Sequence, residues 1–256
     1  MSAQRVVITG GASGIGLTLA RRFAARGDRV ALCDADAAAV EAAQAALPDT
    51  TIARHVDVTD ASGMEAFLSE VETAWGGVDV VCANAGTGGP AGRIEDLDYD
   101  AWRACLDVNL NGAFLTCRWA ARVMRAQGAG LILITSSTSG LHGVPYRSPY
   151  VAAKWGLIGL TKTLAMELGP AGVRVNAIAP GAVTGDRMDR VVAMEAAASG
   201  LTEDAVRQIY VKGTSLRTWV TADDIADMAL FLASPAAARI SGQVLAVDGH
   251  TESMVP

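Results

Sequence analysis

The sequence predicts one doubly wound α/β domain: a parallel sheet of about seven strands with helices on both faces. Three observations carry this. Apolar runs of strand length alternate with helix-length amphipathic stretches along the whole chain. The strands are apolar on both faces, as a parallel sheet covered on each side requires. No internal repeat or low-complexity linker divides residues 1–256, and a chain of this size buries roughly three quarters of its unfolded surface.

Strands are expected near Val6–Thr9, Val30–Cys33, Thr51–Val56, Val78–Ala83, Leu131–Ser136, Val173–Ile178 and Val244–Val247. Ala-rich helices are expected from Ile15 to about Arg26 and over Ala37–Ala46, Gly63–Trp75, Trp102–Ala126, Tyr150–Leu168 and Ala222–Leu232. The first strand passes into Gly10-Gly11-Ala12-Ser13-Gly14-Ile15-Gly16. Glycines there let the backbone take positive φ and approach a ligand closely. The helix that follows aims its N-terminal amides at the turn, a place that suits a pyrophosphate. The pattern T-G-x-x-x-G-x-G lacks the G-K-[ST] of a P-loop. Ligands of such sheets bind at the carboxyl ends of the strands, near the point where strand order reverses. One segment departs from the alternation: residues 182–219 carry charged and small residues with weak helical periodicity. A connection this long is read as a lid over a site, against the plainer reading of a surface excursion.

Tyr150 and Lys154 lie four residues apart in SPYVAAKWGLIGLTK. On a helix that spacing stacks both side chains on one face. An adjacent cation favours the phenolate, and lowering a phenol by two to three pKa units needs roughly 3–4 kcal/mol. The pair alone also fits an ordinary solvated helix face. The other landmarks, in order, are Thr9-Gly10-x-x-x-Gly14-x-Gly16, Asp57-Val58, Asn84-Ala85-Gly86, Asn109, Ser137, Tyr150-x-x-x-Lys154 and Pro180-Gly181.

Together these landmarks resemble the short-chain dehydrogenase/reductase family, over nearly all of the chain, with Ser137 thirteen residues before Tyr150 as in that family. The resemblance implies a Rossmann-like fold and an oxidoreductase interconverting a secondary alcohol and a ketone. Tyr150 would be the general acid/base. Lys154 would lower its pKa and hold the nicotinamide ribose. Ser137 would orient the reacting oxygen, with Ser136 and Thr138 as rivals for the role. Asn109 would hold a water linking Lys154 to solvent, with Asn111 as the rival. The cofactor would meet Gly10, Ser13, Gly14, Ile15, Gly16, Asp34, Asp57, Val58, Asn84, Gly86, Tyr150, Lys154, Pro180, Gly181 and the backbone of Val183.

Asp34 ends the second strand, where a carboxylate accepts bonds from the adenosine ribose and repels a 2′-phosphate. Phosphorylated-cofactor binders of the family place Arg or Lys in the turn or after that strand. Here those positions hold Ser13 and Ala35, followed by Asp36, so NAD is expected. The plainer alternative for Asp34 is a helix N-cap, a task Asp36 could also perform. For Asp57 it is a turn aspartate. The chain departs from the family twice. Ala83 replaces the first Asn of Asn-Asn-Ala-Gly, and Thr184 comes one residue early, leaving Gly185 where the family has Thr.

Fold alone does not choose a substrate. Arg147 lies three residues before Tyr150, and Arg187 and Arg190 sit in the expected lid. Guanidinium groups suit carboxylate, sulfonate or phosphate recognition. With Ser139, they are the candidate substrate contacts, and the expected substrate is a small polar, anionic hydroxy compound. The alternatives are a neutral sugar, cyclic polyol or aryl alcohol, a carbonyl reductase running toward alcohol, and, from another class, a non-catalytic NAD-binding scaffold. The scaffold would lack one of Ser137, Tyr150 and Lys154.

The net charge of −6 with scattered Lys and Arg gives no basic patch for nucleic acid. Apolar runs broken by charge, Pro or Gly predict no membrane span. MSAQRVVITG enters the first strand without a signal peptide's long apolar segment, so the cytoplasm is expected. Cys33, Cys82, Cys105 and Cys117 form no C-x-x-C pair, and His55, His142 and His250 are far apart. Free thiols and no metal are expected. The resemblance implies a homo-oligomer, a tetramer built on the two long helices and the last strand.

Overall fold

A computed structural model describes residues 3–252, the side chains of residues 194, 195, 198 and 199 excepted. Seven strands form one sheet: β1 (Arg5–Thr9), β2 (Arg29–Asp34), β3 (Ile52–His55), β4 (Val80–Ala83), β5 (Gly130–Thr135), β6 (Val173–Pro180) and β7 (Val244–Val247). Every pairing is parallel, in the order β3-β2-β1-β4-β5-β6-β7. From β1 the chain winds outward through β2 to β3, then returns to place β4 on the other side of β1. The β1/β4 crevice is therefore the switch point at which such sheets bind ligands.

The connecting helices are α1 (Gly14–Ala25), α2 (Ala37–Ala46), α3 (Ala61–Trp75), α4 (Tyr99–Leu106), α5 (Gly112–Gln127), α6 (Ser148–Leu168), α7 (Asp186–Ser199), α8 (Glu203–Lys212) and α9 (Ala222–Leu232). Alternate strand residues serve opposite faces. Val6, Ile8 and Leu32 pack under Leu19 and Phe23 of α1 and Leu232 of α9. Val7, Val81 and Ile132 pack under Phe67 of α3, Ala120 of α5 and Leu157 of α6. Each large side chain buried this way contributes roughly 1.5–3 kcal/mol of transfer free energy. All four cysteines are buried and unpaired. Among the described residues no helix is long and apolar enough to cross a membrane.

One expectation needs correction. The single helix expected over Trp102–Ala126 is two helices, α4 and α5, joined by a π-helical turn at Asp107–Asn111. Turns of this kind insert a residue into the i→i−4 ladder and gather at functional positions. Here the turn carries Asn109. Within residues 182–219, the weakly periodic segment forms α7 and α8. Its periodicity is weak because those helices bury little against the sheet. Val192, Ala196 and Val206 instead make a small cluster of their own, with Met188, Tyr210 and Trp219 around it.

Candidate active site

The glycine turn is held from three sides. A Cβ at Gly16 would stand 1.9 Å from the Gly10 carbonyl oxygen, so only glycine lets α1 start this close to the turn. Asn84, just past β4, donates from Nδ2 to the carbonyls of Thr9 (3.2 Å) and Gly10 (3.1 Å). Its Oδ1 accepts from Thr135 Oγ1 at 3.1 Å, which ties β1, β4 and β5 together at their carboxyl ends. Ser13 is exposed, and its side chain makes no capping bond to α1. The first amides of α1 thus lack a side-chain partner and face outward, the arrangement an anion fills.

Asp34 accepts from the Ala12 amide at 3.1 Å and from the Asp36 amide at 3.2 Å. Asp36 is the residue that caps α2, through Ala39 N at 3.1 Å. Asp34 therefore has no helix to cap and remains at the lip of the glycine turn. Asp57 is exposed, and its Oδ1 takes both the amide and the hydroxyl of Thr59 at 2.8 Å, a turn-forming role. Val58 is buried in the core.

Tyr150 and Lys154 occupy α6, and the neighbouring candidates differ in burial and bonding. Ser136 is buried and donates to the Lys154 carbonyl at 3.0 Å, so it is committed elsewhere. Ser137 is half-exposed, lies near enough to the Tyr150 phenol to lower its pKa, and accepts the Ser139 amide at 3.1 Å. Ser139 is buried, and its observed contact is that amide. Asn111 is exposed and bonds Asp107 at 2.7 Å. Asn109 is wholly buried, and its Nδ2 donates to the carbonyls of Cys105 (2.9 Å) and Thr87 (3.0 Å). Its Oδ1 has no partner. That oxygen and Lys154 Nζ converge on one point beside Gly86, 2.8 and 3.4 Å from where a Cβ would stand. Lys154 Nζ itself donates to the Thr135 carbonyl at 3.0 Å.

Three cations surround the phenol. Lys154 Nζ lies 5.5 Å from the Tyr150 ring centroid, and the guanidinium carbons of Arg147 and Arg187 lie 5.3 and 5.6 Å from it. Burial pushes the Tyr150 pKa up. It is outweighed by Lys154, Arg187, Ser137 and Arg147, which together hold the phenol below the ordinary tyrosine value. Burial likewise pushes Lys154 below the ordinary lysine value, with Tyr150 opposing and Arg187 adding to the shift. Arg147 Nη2 donates to the Gly88 carbonyl at 3.0 Å. A point beside Gly88 is 3.4 Å from Arg147 Nη2 and 3.9 Å from Arg187 Nη2. Among the described residues neither guanidinium has a carboxylate partner. Arg190, exposed on α7, is not among the cations over the ring.

Pro180 closes β6, and the Gly181 amide donates to Val247 at 3.0 Å. Val183 bridges Val220 through its neighbours, Ala182 O and Thr184 N, so its own amide and carbonyl point the opposite way. Thr184 is exposed beside Gly185. Sequence reasoning missed Cys105, whose Sγ lies 3.6 Å from Asn109 Nδ2, and the carbonyls of Thr87, Gly88 and Thr135. Backbone acceptors carry no residue-type signal.

The family model described as Enoyl-(Acyl carrier protein) reductase matches residues 10–250. The chain is 36% identical to a D-beta-hydroxybutyrate dehydrogenase of Rhizobium meliloti (strain 1021), over 95% of this chain and 96% of that one. It resembles the solved structure of an NAD⁺-bound xylitol dehydrogenase with a TM-score of 0.91 and 28% identity, covering 96% of this chain and 98% of the other. An actinorhodin polyketide ketoreductase with NADPH gives a TM-score of 0.91 at 29% identity, and covers 96% of this chain.

Proposed function

The chain belongs to the short-chain dehydrogenase/reductase family, and on that premise we propose an NAD-dependent dehydrogenase of a small anionic secondary alcohol. A hydroxy carboxylate is the type case. The observation that carries the reading is the convergence of Arg147 and Arg187 over the Tyr150 ring without a carboxylate partner. Two like charges over one ring repel each other, and an anion placed between them relieves that repulsion. A substrate carboxylate or sulfonate supplies one, and guanidinium forks match its geometry.

The residues at the crevice fit a dinucleotide. The pyrophosphate would lie over Ser13, Gly14 and the first amides of α1, with Gly10, Ile15 and Gly16 shaping the turn. Asp34 would take the ribose hydroxyls, and with Asp36 it makes an acidic corner hostile to a 2′-phosphate. Asn84 and Gly86 would line the crevice, Val183 would offer its backbone to the carboxamide, and Asp57 would reach the adenine edge. Bound there, the nicotinamide supplies the hydride acceptor.

Tyr150, whose phenol its cations hold below the ordinary tyrosine value, takes the proton from the substrate hydroxyl at its phenol oxygen when ionised. Ser137, a neighbour of that phenol, donates to the same reacting oxygen and fixes its angle. Lys154 stabilises the phenolate, and its Nζ and Asn109 Oδ1 bracket a spot for a water that carries the proton away. With the lid of residues 182–219 over the site, bulk water is kept from the reacting carbon.

The test is the initial rate of NADH formation on matched pairs, each small hydroxy carboxylate or sulfonate beside its neutral ester, amide or alcohol. Turnover confined to anions, and lost in Arg147→Ala with NAD binding intact, supports the reading. Equal turnover of the neutral members overturns it. A second reading, a neutral polyol dehydrogenase, draws on the bond from Arg147 to the Gly88 carbonyl, which gives that arginine a structural task. By the same resemblance the working unit is a homotetramer. Exposed Phe114 on α5 and Trp155 and Met166 on α6 suit burial in it, and sedimentation measures the assembly.

A further inference from the structure

Arg187 differs from the other cations at the phenol in what carries it. Lys154 and Arg147 belong to α6 and its N-cap, and each is anchored to a backbone carbonyl, Thr135 O at 3.0 Å and Gly88 O at 3.0 Å. Arg187 stands in the first turn of α7, is exposed, and makes no such bond. Its helix begins at Gly185, whose φ of 128° is a backbone state that side-chain-bearing residues resist. Beyond that glycine, α7 and α8 share their own apolar cluster, separate from the two that flank the sheet. The guanidinium nevertheless lies 5.6 Å from the Tyr150 ring centroid.

We propose that Arg187 is a positioning residue for the oxidation: carried by the lid, it favours the phenolate of Tyr150 through space, as a third cation beside Lys154 and Arg147. This rests on the reading of Tyr150 as the general base. The groups facing the phenol are Lys154 on α6, Arg147 at its N-cap, Ser137 after β5 and Arg187 on α7, with Cys105 of α4 beyond Lys154. Among the described residues no carboxylate is paired with Arg187; Asp186 and Asp189 share its helical turn, and Asp189 is paired with Arg207. A unit charge at this range, partly screened by solvent, moves a phenol by about one pKa unit. Because α7 and α8 form a separately packed unit, the reactivity of Tyr150 is tied to where that unit sits.

The experiment needs no substrate. The ultraviolet absorbance of tyrosinate is titrated in the enzyme–NAD⁺ complex, and the same titration of Tyr150→Phe is subtracted to isolate one phenol. Arg187→Gln is expected to raise the midpoint by about one unit, and Arg187→Lys to restore most of the shift. An unchanged midpoint in Arg187→Gln overturns the proposal and leaves Arg187 as a substrate contact at most. A difference signal absent from the wild-type enzyme between pH 6 and 10 overturns the acid/base reading of Tyr150, and the proposal with it. Circular dichroism checks that the exposed substitution leaves the fold intact.

Discussion

Asp34 accepts the backbone amide of Ala12 at 3.1 Å, which makes the end of β2 and the glycine turn one unit. The carboxylate is thereby held at the lip of the crevice, where a ribose would arrive. Asp34→Ala is expected to raise KM for NAD by about tenfold or more, since charge-assisted hydrogen bonds contribute roughly 1.5–3 kcal/mol. It should also bring the ratio of kcat/KM for NAD over NADP toward one. A variant that keeps full discrimination would move cofactor choice to another residue.

Tyr150→Phe removes the only proton acceptor that the proposed oxidation uses. A general acid/base contributes about 10²–10⁴-fold, so kcat should fall within that range while NAD affinity, read by fluorescence quenching, changes little. Lys154→Met should cost a comparable factor and weaken NAD binding as well, because Nζ is also assigned to the nicotinamide ribose. Equal NAD affinity in both variants would detach Lys154 from that second role.

The sheet was legible because its strands are apolar on both faces, and each strand forms within a few residues of where that pattern places it. The site was legible where side-chain chemistry recurs at a fixed spacing, as at Tyr150 and Lys154. Neighbouring residues of one type were not separable by pattern. Ser136 and Ser137 differ because one faces the core and bonds a carbonyl while the other reaches the phenol. The π turn that aims Asn109 was invisible, since a 3.6-residue template reads the whole stretch as one helix and does not register a single-residue phase shift inside it. Arg187 and Arg190 looked alike in GDRMDR, and only the direction in which α7 leaves Gly185 puts the first over the ring.

Asn84 is expected to matter for stability as well as for the crevice. Its amide joins the Thr9 and Gly10 carbonyls to the Thr135 hydroxyl. Asn84→Ala loses all three bonds, and at about 1 kcal/mol each the cost is roughly 2–3 kcal/mol. Urea unfolding should show a lower midpoint with an unchanged slope. The same variant should raise KM for NAD, because the glycine turn loses the side chain that bonds its carbonyls from the end of β4. An unaltered unfolding midpoint would mean that water replaces the amide without loss.

At the opposite end of β1, Arg5 and Asp79 form the pair expected to govern acid stability. Asp79 Oδ2 accepts the Arg5 amide at 2.8 Å and its Nε at 3.0 Å, and Oδ1 accepts Nη2 at 2.6 Å. Burial pushes the Asp79 carboxyl up, but the hydrogen bonds and charge of Arg5 outweigh it and hold the pKa below the ordinary value. The sign follows from that direction. A carboxyl whose folded pKa is depressed contributes stability above its unfolded value, about 3.9, and loses it as pH falls through the lower folded value. Asp79→Asn keeps the shape but not the charge. With the pair one-quarter to one-third exposed, solvent screening limits the expected loss at pH 7 to about 1–2 kcal/mol. The difference between wild type and variant should be constant from pH 7 to pH 5 and narrow below about pH 4. A gap that persisted undiminished at the lowest pH where both proteins fold would assign the loss to the geometry of the amide bond, with no contribution from the carboxylate charge.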